Sequence, residues 1–136
     1  MNVLYNTTST ATGAGRDGKV ATQDGLELDL AIPKELGGPG GATNPEQLFA
    51  SGYAACFHSA LQTVARAAKV KLGESTVRAT VGIGKDGEGF GLTVALGVSA
   101  PEVEREALEG LVAKAHQVCP YSNATRGNID VEISVA

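Results

Sequence analysis

Tryptophan is absent from this chain, and its 136 residues include only three phenylalanines and three tyrosines. Any core must therefore be assembled from Val, Leu, Ile and Ala. There is no basic run, and the formal net charge is −4. That balance argues against a nucleic-acid footprint or a polybasic membrane contact. No apolar stretch is long enough to span a bilayer. The N-terminal MNVLYNTTST lacks the basic and apolar regions of a secretory signal. The expectation is a soluble cytoplasmic protein with no nucleic-acid and no membrane partner. Cysteine is scarce, with two in the chain. In a reducing compartment a catalytic or transient disulfide is more plausible than a permanent one. There is no Cys-x-x-Cys, which counts against a disulfide oxidoreductase of that type. Cys, Asp and Glu do not cluster around either histidine at ligand spacing, so no metal is expected.

The length suits one domain over residues 1–136, large enough to bury a core without covalent staples. The first third reads as strands, KVATQ and LELDLAI, with turns at Asp17-Gly18 and Asp24-Gly25, dipeptides that accept positive φ. In LELDLAI, Leu26, Leu28 and Leu30 alternate with polar residues, which predicts one buried face. A Gly/Pro loop, IPKELGGPGGATNP, follows. A long helix is expected from Pro45 to Lys69, with Asn44 as N-cap, Pro45 in its first turn, and Glu46 near the positive end of the dipole. Its residues are apolar nearly all round, as in a central, buried helix. STVRATVGIG and GFGLTVALGVS read as an antiparallel pair about Lys85-Asp86-Gly87-Glu88. A second, amphipathic helix opens at Pro101 and stops at Pro120. After a polar loop, YSNATRGN, the chain ends on the strand IDVEISVA. This order indicates an α+β domain.

Gly82 to Gly87 matches G-x-G-x-x-G, but a strand rather than a helix follows it, so it reads as a hairpin. The Gly38–Gly41 loop lacks the Lys-Ser/Thr of a phosphate loop. His58 lies about 200° round the helix from Cys56 and points away from it. His116, one turn before Cys119, is within reach of that residue. Both histidines read as ordinary.

The cysteines differ. Cys56 sits in a helix already rich in alanine, so volume alone does not call for sulfur. Cys119 lies at a helix end before Pro120 and a polar loop, where it is expected to be reachable and mobile. One fixed and one mobile thiol suit a redox cycle with a peroxidatic and a resolving sulfur. Only a thiolate attacks, and apolar burial raises a thiol's pKa, so the chemistry needs a fixed cation. Arg16 in GAGRDGK and Arg126 after Cys119 are candidates. Arg66 is about 15 Å along the helix from Cys56 and does not reach it.

NPEQLFASGYAACFHSAL, together with VCPYSNATRGNIDVEISV, resembles the organic hydroperoxide resistance proteins of the OsmC-like superfamily; GRDGKV fits as well. The resemblance spans nearly the whole chain. It implies antiparallel sheets around a long central helix plus a second helix, in an intertwined homodimer with sites at the subunit interface. It implies a cysteine-based peroxidase that reduces organic hydroperoxides, including lipid-derived ones, to alcohols. By motif, Cys56 is the peroxidatic thiol and Cys119 the resolving thiol. Arg16 is the activating cation, and Glu46 the carboxylate that orients it. The disulfide is recycled by lipoylated proteins or another dithiol, with no cofactor bound. Phe49, Tyr53 and Phe57 are candidates for the apolar lining of the substrate site.

Glu46 and Cys56 are ten residues apart in the sequence, about 15 Å of helical rise. Either the helix breaks near Ser51-Gly52, or Glu46 serves the partner subunit's site; the second is expected. Two other readings stay open here: a thiol sensor that forms the same disulfide without turnover, and a structural domain with inert thiols.

Overall fold

In a computed structural model, which describes residues 1–136, the chain contacts gather into two compact units, Met1–Leu48 and Phe49–Ala136. The first unit is a three-stranded antiparallel meander of β1 (Ser9–Thr12), β2 (Lys19–Thr22) and β3 (Glu27–Asp29), in that order. Asp24-Gly25 makes the second turn, with Gly25 at φ 131°. The first turn departs from expectation. Positive φ falls on Gly13 and Gly15, whereas Gly18 sits at −106°. Gly18 is needed for a different reason: a Cβ there would lie 2.0 Å from the Thr12 carbonyl oxygen. Between these glycines, Gly15–Asp17 forms a single 3-10 turn that carries Arg16. The Asp17 carboxylate accepts the Ile32 N–H at 2.9 Å and ties the turn to the loop beyond β3. The alternation in LELDLAI is only partly realised, because Leu30 is buried while Leu26 is 40% exposed.

Helix α1 (Pro45–Ala67) runs without a break through Ser51-Gly52. Its N-terminus is closed as the sequence suggests: Asn44 Oδ1 accepts the Gln47 N–H at 2.9 Å. The expectation of burial all round is corrected. Tyr53, Phe57, Ala60, Leu61 and Ala65 form the buried stripe, at helical spacing, while Ser51, Ala55, Ser59, Gln62 and Arg66 are exposed along the other side.

In the second unit, β4 (Thr76–Asp86) and β5 (Gly89–Ser99) pair antiparallel over their full length, joined by Gly87-Glu88 with Gly87 at φ 59°. The G-x-G-x-x-G stretch is thus a hairpin. β6 (Val131–Val135) lies parallel to β5, the one strand pairing that departs from the antiparallel sheets expected. Val94, Leu96 and Val98 of β5 join the α1 stripe and Leu108, Leu111, Val112 and Ala115 of α2 (Arg105–Val118) in one core. Fully burying a side chain such as Phe57 or Leu61 contributes about 1.5–3 kcal/mol, so this cluster anchors α1.

Helix α2 starts later than Pro101 suggests. Glu104 is its N-cap, accepting the Glu106 N–H at 3.3 Å. Pro120 does not lead into a loop: it is the first residue of a short helix, α3 (Pro120–Thr125). Proline ends one helix and suits the first turn of the next. No helix is long and apolar enough to cross a membrane.

Candidate active site

Arg16 and Glu46 are brought together within the first unit. Arg16 Nη1 donates to Glu46 Oε2 at 2.8 Å, and Nη2 donates to Oε1 at 2.6 Å. The Arg16 side chain is 36% exposed and that of Glu46 only 13%. The hydrogen bond from Arg16 holds the Glu46 carboxyl below the usual carboxylate range, against the opposing effect of burial. The same bond raises Arg16 further, so both partners are charged over the whole neutral range. The 3-10 turn supplies one partner and the first turn of α1 the other.

Cys56 and Cys119 belong to the second unit, and both are free thiols. Cys56 is half-buried on α1. Burial pushes its pKa up, and the neighbouring Cys119 pushes it further by charge and by hydrogen bonding; a hydrogen bond from the Tyr121 backbone N–H acts in the opposite direction. The two sulfurs are thus close enough to influence each other's ionisation. Cys119 is not the reachable residue that the sequence suggests. It is fully buried at the junction of α2 and α3, where its N–H bonds to Ala115 O and its carbonyl accepts the Asn123 N–H, each at 2.9 Å. The difference arises because YSNATRGN begins as a helix rather than a loop, with Cys119 as its N-cap between two helices.

Of the three aromatic candidates, Tyr53 and Phe57 are fully buried in the core, while Phe49 keeps some exposed surface. Phe49 meets Tyr53 edge-on, with ring centroids 6.3 Å apart, and Tyr121 edge-on at 6.1 Å. Tyr121, which sequence reasoning passed over, lies 5.6 Å from Tyr53 and is 37% exposed. It closes against Gly52, where a Cβ would come within 2.5 Å of the Tyr121 hydroxyl oxygen.

His58 Nε2 lies 2.8 Å from Ser75 Oγ. His116 bonds through Nδ1 to Ser122 Oγ at 2.7 Å. Burial first, and then the charge of Arg126, lowers the His116 pKa, so the ring is neutral at neutral pH. Arg126 Nη2 donates to the His116 carbonyl, and Nη1 donates to Asn123 Oδ1 at 2.7 Å. Ser122 and Thr125 are buried polar residues that sequence reasoning also missed. Their spacing of three would have marked one face of a helix, had that stretch been read as helical. No group of three His, Cys, Asp or Glu side chains is placed to hold a metal ion.

The family described as OsmC-like protein matches residues 38–134. An organic hydroperoxide resistance protein of Xanthomonas axonopodis pv. citri is 54% identical, covering 98% of this chain and 96% of its own. Among solved structures, an organic hydroperoxide resistance protein from Legionella pneumophila superposes with a TM-score of 0.95 at 53% identity, covering 99% of each chain. One from Elizabethkingia anophelis gives 0.95 at 53% identity, covering 100% of this chain and 99% of its own.

Proposed function

Because the chain belongs to the OsmC-like family, among its organic hydroperoxide resistance proteins, we propose that it is a thiol peroxidase that reduces organic hydroperoxides, including lipid-derived ones, to alcohols. The observation that carries this reading is that both thiols are free and gather at one apolar cluster, Cys119 within it and Cys56 packed against it.

The Cys56 thiolate attacks the distal peroxide oxygen. The O–O bond breaks, and the alkoxide leaves as the alcohol after taking a proton. Cys56 is then a sulfenic acid. The Cys119 sulfur displaces its hydroxyl as water and forms the disulfide. A dithiol, of the kind borne by lipoylated proteins, reduces the disulfide by exchange. Burial works against ionisation of Cys56, and Arg16 is the charge proposed to offset it and to hold the peroxide oxygens. Glu46 fixes the guanidinium plane.

The site is proposed to be composite in a homodimer, with Arg16 and Glu46 of one protomer serving the cysteines of its partner. The separation of Glu46 and Cys56 by ten positions, about 15 Å of helical rise, supports this arrangement. An organic tail gains about 0.8 kcal/mol for each buried CH₂, which hydrogen peroxide forgoes. Phe49 is the exposed part of the apolar wall, backed by Tyr53 and Phe57. The proposed location is the cytoplasm, where the reductant is available.

The test is a free-thiol count on reduced protein after one equivalent of cumene hydroperoxide and, separately, of hydrogen peroxide. Rapid loss of both thiols with the organic peroxide and slower loss with hydrogen peroxide is expected. Survival of both thiols in both oxidants would leave the fold without this chemistry.

A further inference from the structure

Around α3 lies a run of four hydrogen bonds, three buried and the one to His116 part-buried, whose donors can be assigned in turn. Thr125 Oγ1 donates to the Ser122 carbonyl at 3.2 Å, and a carbonyl only accepts. The single Thr125 hydroxyl proton is therefore used. In its 3.2 Å contact with Thr125 Oγ1, the donor is Tyr53. That uses the Tyr53 proton, so in the 2.8 Å contact between Tyr53 and Ser122 Oγ the donor is Ser122. The Ser122 proton is then used as well. Its 2.7 Å contact with His116 Nδ1 is completed only if the ring nitrogen carries the proton. One assignment satisfies all four contacts, and it runs one way from His116 to Ser122, Tyr53, Thr125 and the Ser122 carbonyl. Ser122 and Thr125 are almost wholly buried, so water does not replace a missing donor.

This chain bears on α3, which carries the groups around the sulfurs. Cys119 is the N-cap of α3, and its carbonyl accepts the Asn123 N–H at 2.9 Å, so the seating of α3 fixes the backbone that carries the sulfur. We propose that His116 is a positioning residue for disulfide formation: with its proton fixed on Nδ1 it heads the chain that seats α3 and so holds the Cys119 sulfur for attack on Cys56. The inference rests on the reading of Cys119 as the resolving thiol. In that step the Cys119 sulfur bonds to the Cys56 sulfur and the S–O bond of the sulfenic acid breaks. The Cys119 proton leaves with the hydroxyl as water. A fully buried thiol does not search for its target, so its placement governs the rate. Fixing the tautomer through the partner of one ring nitrogen is a general property of histidine.

The experiment has two arms on the full chain. In the first, the two imidazole nitrogens of His116 are read by ¹⁵N NMR in reduced wild-type protein at about pH 8. A protonated, pyrrole-type Nδ1 and an unprotonated Nε2 are expected; the reverse tautomer overturns the inference. In the second, Cys56 oxidation and disulfide closure are timed separately in wild type, His116→Leu and His116→Asn. Leu and Asn are near-isosteric, and only Asn offers an N–H at the place of Nδ1. Oxidation of Cys56 should be unchanged, with closure slowed about tenfold or more in His116→Leu and largely restored in His116→Asn. Equal closure rates in the three proteins overturn the inference. If neither variant folds, the tautomer decides. Wild-type Cys56 that resists organic peroxide would instead sink the peroxidase reading, a distinct result.

Discussion

Arg16 meets Glu46 fork to fork, with two parallel hydrogen bonds of 2.8 and 2.6 Å. A lysine at position 16 keeps the charge but not the matched plane. The expected order of Cys56 oxidation rates is wild type, then Arg16→Lys slower by on the order of tenfold, then Arg16→Ala by on the order of a hundredfold. The inflection in the pH–rate profile should move to higher pH in Arg16→Ala. Stopped-flow oxidation with cumene hydroperoxide measures both. An alanine variant as fast as wild type would remove Arg16 from the activation step.

Acid should destabilise the fold through two groups. Glu46 is held below its ordinary range by the Arg16 hydrogen bond. Its stabilisation is present above the usual glutamate value and is lost as pH falls through the depressed one. His116 is lowered by burial and then by Arg126, so the fold favours its neutral form. That contribution is full above the ordinary histidine value and likewise disappears as pH falls. Cys56 is raised by burial and acts at the other end: its contribution is present below the ordinary cysteine value and is lost as pH climbs through the raised one. Urea midpoints should therefore decline from about pH 7.5 to about pH 3.5. In Glu46→Gln the lower part of that decline should flatten. A wild-type midpoint independent of pH contradicts both assignments.

Cys119→Ser separates the two thiols. Peroxide should still oxidise Cys56, but no disulfide forms, and excess oxidant should carry Cys56 on to the sulfinic acid. Mass spectrometry of the intact protein distinguishes a gain of two oxygens from the loss of two hydrogens. Position 119 is fully buried, so the serine hydroxyl should also cost about 1–3 kcal/mol of stability.

Gly52→Ala sets a local gain against a local clash. Alanine favours the helix by about 1 kcal/mol. The new Cβ would fall 2.5 Å from the Tyr121 hydroxyl oxygen, so the ring has to move. The clash is with the tip of a half-exposed side chain, and the fold should survive with its Tm changed by only about a few degrees. Tyr121 packs against Phe49 and Tyr53, so the KM for a bulky hydroperoxide should shift more than kcat. Unchanged KM values across small and bulky peroxides would show that Tyr121 does not shape the wall formed by Phe49 and Tyr53.

The exposed side of α1 bears on assembly. Ala55 lies between Ser51 and Ser59 on that side. In the proposed homodimer, Ala55→Arg should shift the protein toward monomer, read by light scattering after size exclusion. Retention of the wild-type mass would free this face from the interface.

What was legible in the sequence was local. The Asn44 cap, the β4–β5 turn and the start of α1 at Pro45 each follow from a few adjacent residues, and all three are in the structure. What was missed depends on context. Pro120 ends one helix and begins another, and nothing local chooses between the two roles. Reading it only as a stop hid α3, and with α3 the burial of Cys119 and the hydroxyls of Ser122 and Thr125. Gly18 was recognised as a turn glycine, but its reason is a carbonyl on another strand. The parallel sense of β6 has no signature within VEISV. The pairing of Arg16 with Glu46, 30 residues apart, was expected from family resemblance; their spacing did not disclose it.

The parallel pairing of β6 also orders events in time. β4 and β5 are joined by two residues and zip from Asp86–Gly89 outward, a local process that is complete within microseconds in simple hairpins. β6 is not available to β5 until residues 100–130 have turned back through α2 and α3. Loop closure of that kind is slow, because its entropy is lost before any contact compensates. In pulse-labelling hydrogen exchange during refolding, the β4–β5 amides are therefore expected to be protected before those of β6 and of the segment that carries Cys119.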